Sequence, residues 1–115
     1  MSFWVSLNED DNPVFIERHA EGGTYVLDGT EHADINVTYN YSTFYFEHLD
    51  KEKGLRWLHE KQAKDTIERL EKAVEILGVE RDSDYWAATP GNAGHALNVL
   101  ASWAKQYPEA VWHVG

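Results

Sequence analysis

The side chains with the clearest chemical potential are neutral hydrogen-bonding groups within an uncharged run, residues 85–104. They are Thr89, Asn92, His95, Asn98 and Ser102. In a chain in which 26% of residues are charged, twenty consecutive residues without Asp, Glu, Lys or Arg indicate a constrained surface rather than chance. Amides donate and accept hydrogen bonds, so this surface could recognise a shaped polar ligand. The alternative is that these groups satisfy the protein's own backbone, as most buried polar side chains do.

A second row of neutral polar residues occurs between residues 34 and 42. Apolar and aromatic residues alternate there with Asn36, Thr38, Asn40 and Ser42. This period of two predicts a strand over residues 34–42 with one polar face. Two neutral polar faces in one small domain could form the two walls of one cleft, although polar strand faces are also common without any function.

These two faces define the predicted ligand-binding residues. They are Asn36, Thr38, Asn40, Thr89, Gly91, Asn92, His95 and Asn98. Small residues near the start of the second polar segment, Gly91 and Gly94, would let other groups approach closely. We predict a site without catalytic residues, metal or cofactor.

Other site chemistries find weaker support in the sequence. The free N–H groups after Thr89-Pro90 could receive an anion, but the segment lacks the lysine of a P-loop and the glycine spacing of a dinucleotide turn. None of the six histidines has the spacing of a zinc-binding motif. Ser102 and His95 lie two helical turns apart, about 10 Å, which is too far for a serine–histidine hydrogen bond.

Composition narrows the class of protein. The 115 residues suit a single domain, 1–115, and 43% hydrophobic residues with fifteen aromatics suffice for a core. Ten basic and twenty acidic residues give a net charge of −10, which opposes direct binding to nucleic acid or anionic membranes. There is no cysteine and no apolar stretch long enough for a membrane span. We expect a cytoplasmic protein in which the aromatic residues could support homo-oligomers.

The predicted elements place strands first and helices later. Short strands are expected in residues 1–48, including residues 24–27 between turns at 22–23 and 28–29. An apolar stripe predicts a helix over residues 61–77 that ends at Gly78, and Thr89-Pro90 predicts the start of a second helix that stops before Tyr107-Pro108. Residues 110–114 are expected to form a last strand. The predicted fold class is α+β, with a mostly antiparallel sheet of four to five strands packed against two main helices.

Two segments of the chain carry a family resemblance. They read INVTYNYS and ATPGNAGHALNVLASWAKQYPEA. In them the chain resembles small uncharacterised proteins of tailed phages, especially phages of actinobacteria, over about residues 14–112. The matching positions are Asn36, Thr38, Asn40, Pro90, Gly91, Asn92 and Gly94. The resemblance implies a viral accessory protein acting in the cytoplasm of the host, and it implies no catalytic residue and no cofactor.

Three functional hypotheses follow. The first is a non-catalytic binding protein that takes a small molecule or a host protein in the neutral cleft. The second is an acidic nucleic-acid mimic that inhibits a host defence or DNA-binding protein, through Glu9, Asp10, Asp11, Glu17 and Glu21. The third is a small enzyme acting on a phosphorylated metabolite, for which His95 would be essential.

Overall fold

The computed structural model describes residues 2–19 and 30–115. Its strands are β1 Ser2–Glu9, β2 Asn12–Pro13, β3 Phe15–His19, β4 Thr30–His32, β5 Asp34–Thr38 and β6 Val111–Val114. Its α-helices are α1 Ser42–His48, α2 Ile67–Leu77 and α3 Pro90–Gln106, with 3-10 helices at Tyr39–Tyr41, Gly54–Leu58 and Ala63–Asp65. The expected turns at 22–23 and 28–29 and the strand 24–27 lie outside the described residues.

Strand β1 is the centre of the main sheet. It pairs antiparallel with β5, β6 and β2, while β3 and β4 form a separate antiparallel pair. Phe3, Val5 and Leu7 alternate along β1 and are all buried in the hydrophobic core, as the period of two requires. The predicted α+β class with its mostly antiparallel sheet is therefore confirmed. Within the described ranges, no helix combines the length and the apolar character needed to cross a bilayer.

The outer edge of β6 is covered by the segment 59–63. The Trp112 N–H donates to the Lys61 carbonyl at 2.9 Å, and the Ala63 N–H donates to the Ala110 carbonyl at 2.7 Å. The His59 Nδ1 accepts from the Val114 N–H at 3.0 Å. These bonds give hydrogen-bond partners to the backbone N–H and carbonyl groups along the outer edge of β6, and buried backbone groups require such partners.

This use of residues 59–63 explains why the predicted helix 61–77 begins late. Its first turns are replaced by the sheet edge and by the 3-10 helix Ala63–Asp65, and α2 starts only at Ile67. Thr66, fully buried, donates its hydroxyl to the Ala63 carbonyl at 2.7 Å and accepts from the Trp112 indole N–H at 2.9 Å. Pairing with β6 thus prevents residues 61–66 from joining the helix, although the spacing of apolar residues over 61–77 is helical.

Helix α3 begins and ends where the sequence predicts. Thr89 is its N-cap and accepts from the Asn92 N–H at 3.1 Å, and Pro90 occupies the first turn. A Cβ atom on Gly94 would lie 1.8 Å from the Gly78 carbonyl oxygen, and one on Gly91 would lie 1.8 Å from that of Glu80. The close approach expected at these two glycines is therefore made by the protein's own backbone, at the end of α2 and just after it.

The predicted strand 34–42 is wrong in its second half. Strand β5 ends at Thr38, and the chain continues as the 3-10 helix Tyr39–Tyr41 and then as α1. The Thr38 hydroxyl caps this turn by accepting from the Asn40 N–H at 3.2 Å. From there Tyr41, Tyr45 and Leu49 are buried at intervals of four, which is the helical period.

Candidate functional site

The first predicted wall of the cleft is not an exposed strand face. Asn36 and Thr38 are each only 1% exposed, and Asn40 lies beyond the end of β5. The Asn36 Nδ2 donates to the Ser2 hydroxyl, while its buried Oδ1 makes no hydrogen bond with the described residues. The Asn40 Nδ2 donates to the Trp86 carbonyl at 2.8 Å. An outside molecule therefore cannot reach Asn36 or Thr38 in this conformation.

The second predicted wall is also engaged internally at the start of α3. The Asn92 Oδ1 accepts from the Asp82 N–H at 2.9 Å. Its Nδ2 donates to the Asp84 carbonyl and to the Ala87 carbonyl, both at 3.0 Å. Thr89 is the helix cap, and Gly91 packs under the Glu80 carbonyl.

The two predicted walls do converge, but on one segment of the protein itself, residues 82–88. Asn92 holds this segment from α3, and Asn40 holds it from the turn after β5. Two tyrosines complete the arrangement: the Tyr41 hydroxyl donates to the Tyr85 carbonyl, and the Tyr85 hydroxyl donates to the Asn36 carbonyl at 2.7 Å. The polar residues thus hold an internal loop in place, in which residues 85–86 form a turn and residue 87 a bend.

Tyr41 and Tyr45 are buried and remain protonated. Burial, followed by the neighbouring Tyr85, raises the pKa of Tyr41 well above its usual value. The Tyr45 hydroxyl donates to the Ala93 carbonyl at 3.0 Å, and burial likewise raises its pKa strongly. Sequence reasoning placed Tyr41 on the predicted strand 34–42, left Tyr45 outside it, and missed the role of both residues as donors to the backbone.

His95 is half-buried on α3. Burial, and then the positive charge of Arg81, lower the pKa of its imidazole below the ordinary value of 6.5, so the neutral ring is favoured. In the described parts of the chain, the ring makes no hydrogen bond to a hydroxyl group, and Ser102 stands two turns away along the same helix. This geometry provides no activated nucleophile.

Asn98 is the predicted site residue that lies on an open, mostly neutral surface. It faces a cavity of about 280 Å³ between β3 and α3, which we call the β3–α3 groove. The lining residues are Ile16, Glu17, Asn98, Val99, Ser102, Trp103 and Gln106. The Gln106 Nε2 donates to the Ser102 hydroxyl at 3.3 Å, so a connected polar edge runs along the helix.

The groove differs in charge from the other cavities that we describe. One of about 490 Å³ beside the start of α3 includes Glu80, Arg81 and Asp82, and one of about 620 Å³ along α2 is lined by two lysines and three glutamates. A third, of about 360 Å³, contains Asp50, Arg69 and further charged groups. Among the described residues that line the β3–α3 groove, Glu17 alone is charged.

Part of the groove could have been found from the sequence. Asn98, Ser102 and Gln106 follow each other at intervals of four, so they share one face of α3. The predicted site stopped at Asn98, although the same spacing leads to Gln106. Ile16 and Glu17 carried no such signal, because their approach to α3 depends on how the β3–β4 pair is placed.

Metal binding finds no matching arrangement in the residues that the structure describes. No three His, Asp or Glu side chains converge there as metal ligands. Comparisons with known proteins give no family: no protein-family model matches this chain, and no curated protein or solved structure is significantly similar to it. The groove and the surface charges are therefore the features of the molecule that bear on its function.

Proposed function

We propose that this chain is a non-catalytic binding protein whose β3–α3 groove receives a segment of a partner protein. The observation that carries this proposal is the mostly neutral lining of an open cavity in a chain of net charge −10. Exposed amides and a hydroxyl from Asn98, Ser102 and Gln106 supply donors and acceptors, and Val99 with Ile16 supplies apolar surface. This combination suits recognition of a polypeptide, which offers both kinds of group.

The size of the groove favours a protein segment over a free small molecule. Its volume of about 280 Å³ falls at or below the lower end of small-molecule sites, which span roughly 300–1,000 Å³. On the resemblance to phage proteins, we further propose a host protein as the partner and the host cytoplasm as the place of action.

Site-specific photo-crosslinking tests the groove directly. A photo-reactive benzophenone amino acid replaces Ser102 in the groove, and in a second variant it replaces Glu75, exposed on α2. In host cells expressing each variant, we expect a discrete crosslinked protein from position 102 and none from position 75. Mass spectrometry then identifies that protein.

A blocking variant and its control show whether the crosslink reports on the groove. Asn98→Arg, which places a long charged side chain at the groove, should reduce the crosslink from position 102 at least tenfold. Val79→Arg makes the same neutral-to-cationic change at an exposed site outside the groove and should leave the yield unchanged. Equal yields from positions 102 and 75, or an Asn98→Arg protein with full yield, would rule out the groove as the binding site.

A second candidate function, acidic mimicry of nucleic acid, is favoured by the tip of the β1–β2 hairpin. Asp10 and Asp11 both have positive φ, 52° and 65°, and with Glu9 they place three exposed carboxylates at one turn. The other residues of the earlier hypothesis are Glu17, which lies in the groove, and Glu21, which lies outside the described residues. Salt separates the two functions: affinity for a nucleic-acid-binding protein should fall steeply with ionic strength, whereas affinity through the mostly neutral groove should change little.

A further inference from the structure

The basic residues of this acidic chain are concentrated in one stretch. Seven of the ten Lys and Arg residues lie between positions 51 and 72, together with five acidic residues. The remainder of the chain carries three basic and fifteen acidic residues. The stretch is therefore locally net positive in a protein whose overall field is negative.

Part of this stretch is organised by aromatic rings. The guanidinium carbon of Arg56, on the 3-10 helix Gly54–Leu58, lies 4.9 Å from the ring centre of Phe3 and 6.0 Å from that of Tyr39. One of its terminal nitrogens donates to the Tyr39 hydroxyl at 3.5 Å. Phe3 and Tyr39 meet edge to face at 4.6 Å, so they form one aromatic support for this cation.

The next residue, Trp57, supports two more cations. The Lys61 Nζ lies 4.9 Å from its ring centre, and the Arg69 guanidinium carbon lies 4.3 Å from it. Arg69 is also held by Asp50, whose Oδ1 accepts from Nη1 at 3.3 Å. We call Arg56, Lys61 and Arg69, with the rings of Phe3, Tyr39 and Trp57, the cation–aromatic surface.

Cation–π contacts are more frequent in this surface than is usual for proteins, and they already restrict the side chains of its cations. Favourable cation–π pairs occur about once per 70–80 residues, whereas here three cations lie over rings around the consecutive residues Arg56 and Trp57 of a 115-residue chain. A free Lys or Arg side chain loses much rotamer freedom when it binds an anion. Cations that already lie on rings have lost part of that freedom, so they can bind an anion at a smaller entropic cost.

We propose that the cation–aromatic surface binds a carboxylate-rich segment of a partner protein. Charge complementarity selects the partner, because Arg56 and Arg69 are exposed and can each present further N–H donors to carboxylates. The surface involves neither the residues of the β3–α3 groove nor the acidic hairpin tip. It is therefore a separate site, and it does not depend on the proposed function of the groove.

The surroundings of the surface disfavour nucleic acid as the occupant. Proteins that bind single strands stack bases on open aromatic faces, but Lys61 and Arg69 already lie over the Trp57 ring. A long phosphate backbone would also extend past the local positive stretch into a chain that carries fifteen acidic and three basic residues elsewhere. A short acidic peptide can avoid that repulsion.

Fluorescence anisotropy with defined probes tests this inference. The probes are a fluorescein-labelled peptide of eight glutamates, the same peptide with eight glutamines, and a labelled thymidine octanucleotide. At about 20 mM salt we expect binding of the glutamate peptide alone, weakened at least tenfold at about 200 mM salt because the attraction is screened. Arg56→Glu and Lys61→Glu should each weaken binding at least tenfold at low salt.

Two further variants separate this surface from the overall charge of the protein. Arg81→Glu makes the same charge change beyond the far end of α2 and should alter affinity by no more than about twofold. Trp57→Leu keeps every charge but removes the ring beneath Lys61 and Arg69, and it should weaken binding severalfold while circular dichroism confirms the fold. The proposal is overturned if the glutamate peptide does not bind at low salt, if the glutamine peptide binds equally well, if the oligonucleotide binds more tightly, or if Arg81→Glu has the effect of Arg56→Glu.

Discussion

Two asparagines on α3 have opposite environments although the sequence presents them alike. Asn92 is buried, and its amide makes three hydrogen bonds to the backbone of residues 82–87. Asn98, less than two turns later, is exposed in the β3–α3 groove. At the residue scale, an uncharged run therefore does not distinguish an amide that fastens the chain from one that is open to a partner.

We predict that Asn92→Ala lowers the free energy of unfolding by about 2–4 kcal/mol. The substitution leaves one backbone N–H and two carbonyls of the 82–88 segment without their partner, and each unsatisfied buried group costs about 1–3 kcal/mol before relaxation. Urea denaturation of the wild type and the variant measures the difference.

Asn98→Ala is the matched control on the same helix. Because Asn98 is exposed, its replacement should change stability by no more than about 0.5 kcal/mol. Similar losses in the two variants would mean that the hydrogen bonds of Asn92 do not hold the segment.

At the scale of elements, the start of α3 could be predicted from the sequence, whereas the end of β5 could not. The start of α3 is determined by two adjacent residues, the N-cap Thr89 and Pro90. The order of strands before helices follows from the hydrophobic spacing, which changes along the chain from a period of two to a helical period. The end of β5 could not be read in the same way, because Tyr41 belongs both to the alternation 35, 37, 39, 41 and to the helical series 41, 45, 49. Which period prevails depends on packing against α3 and the 82–88 segment, through Tyr45 and Tyr41 respectively.

The close contact between the end of α2 and α3 predicts whether Gly94→Ala stabilises or destabilises the protein. Inside an ordinary helix, Gly→Ala stabilises by roughly 0.5–1 kcal/mol. At Gly94, however, the new Cβ would lie 1.8 Å from the Gly78 carbonyl oxygen, so we expect Gly94→Ala to destabilise the protein by about 2–4 kcal/mol. Thermal or urea unfolding decides the sign.

An exposed position of α3 provides the comparison. Ser102→Ala should be neutral or slightly stabilising, by up to about 0.5 kcal/mol, because alanine is the better helix former and the lost bond to Gln106 is exposed. A stabilised Gly94→Ala protein would show that the two helices do not pack as closely as described.

At the scale of the whole molecule, charge is distributed in separate regions. The acidic hairpin tip begins at Glu9, six residues along β1 from Phe3, which supports Arg56. Six residues of strand span about 20 Å, more than twice the Debye length of about 8 Å at physiological ionic strength. The negative tip and the cation–aromatic surface can therefore act on partners independently.

The stability of the whole protein should depend on pH through His95. Burial and Arg81 lower its pKa in the folded state, so as the pH falls below 6.5 the unfolded chain takes up the proton first and is stabilised. We predict that the wild type loses more unfolding free energy between about pH 7.5 and about pH 5 than His95→Gln does. Urea titrations at both pH values measure this difference.

Two variants test whether the pH dependence of stability arises from His95 and its neighbour Arg81. Arg81→Gln removes the second cause but keeps the burial, so its pH dependence should lie between those of the wild type and His95→Gln. His113→Gln, at an exposed position of β6, leaves His95 unchanged and should therefore keep its contribution to the pH dependence of the unfolding free energy. Identical pH profiles for the wild type and His95→Gln would contradict the environment described for this ring.

The position of β6 has a consequence for how the chain matures during synthesis. Residues 111–114 pair with residues 5–8, and the Trp4 N–H donates to the Gly115 carbonyl at 2.9 Å. A nascent chain that has not reached residue 111 lacks both this strand and the buried Trp112, so the side of β1 that pairs with β6 has no partner strand. The ribosome must therefore deliver residues 111–114 before this sheet can close, and until then the open strand is accessible to chaperones and proteases.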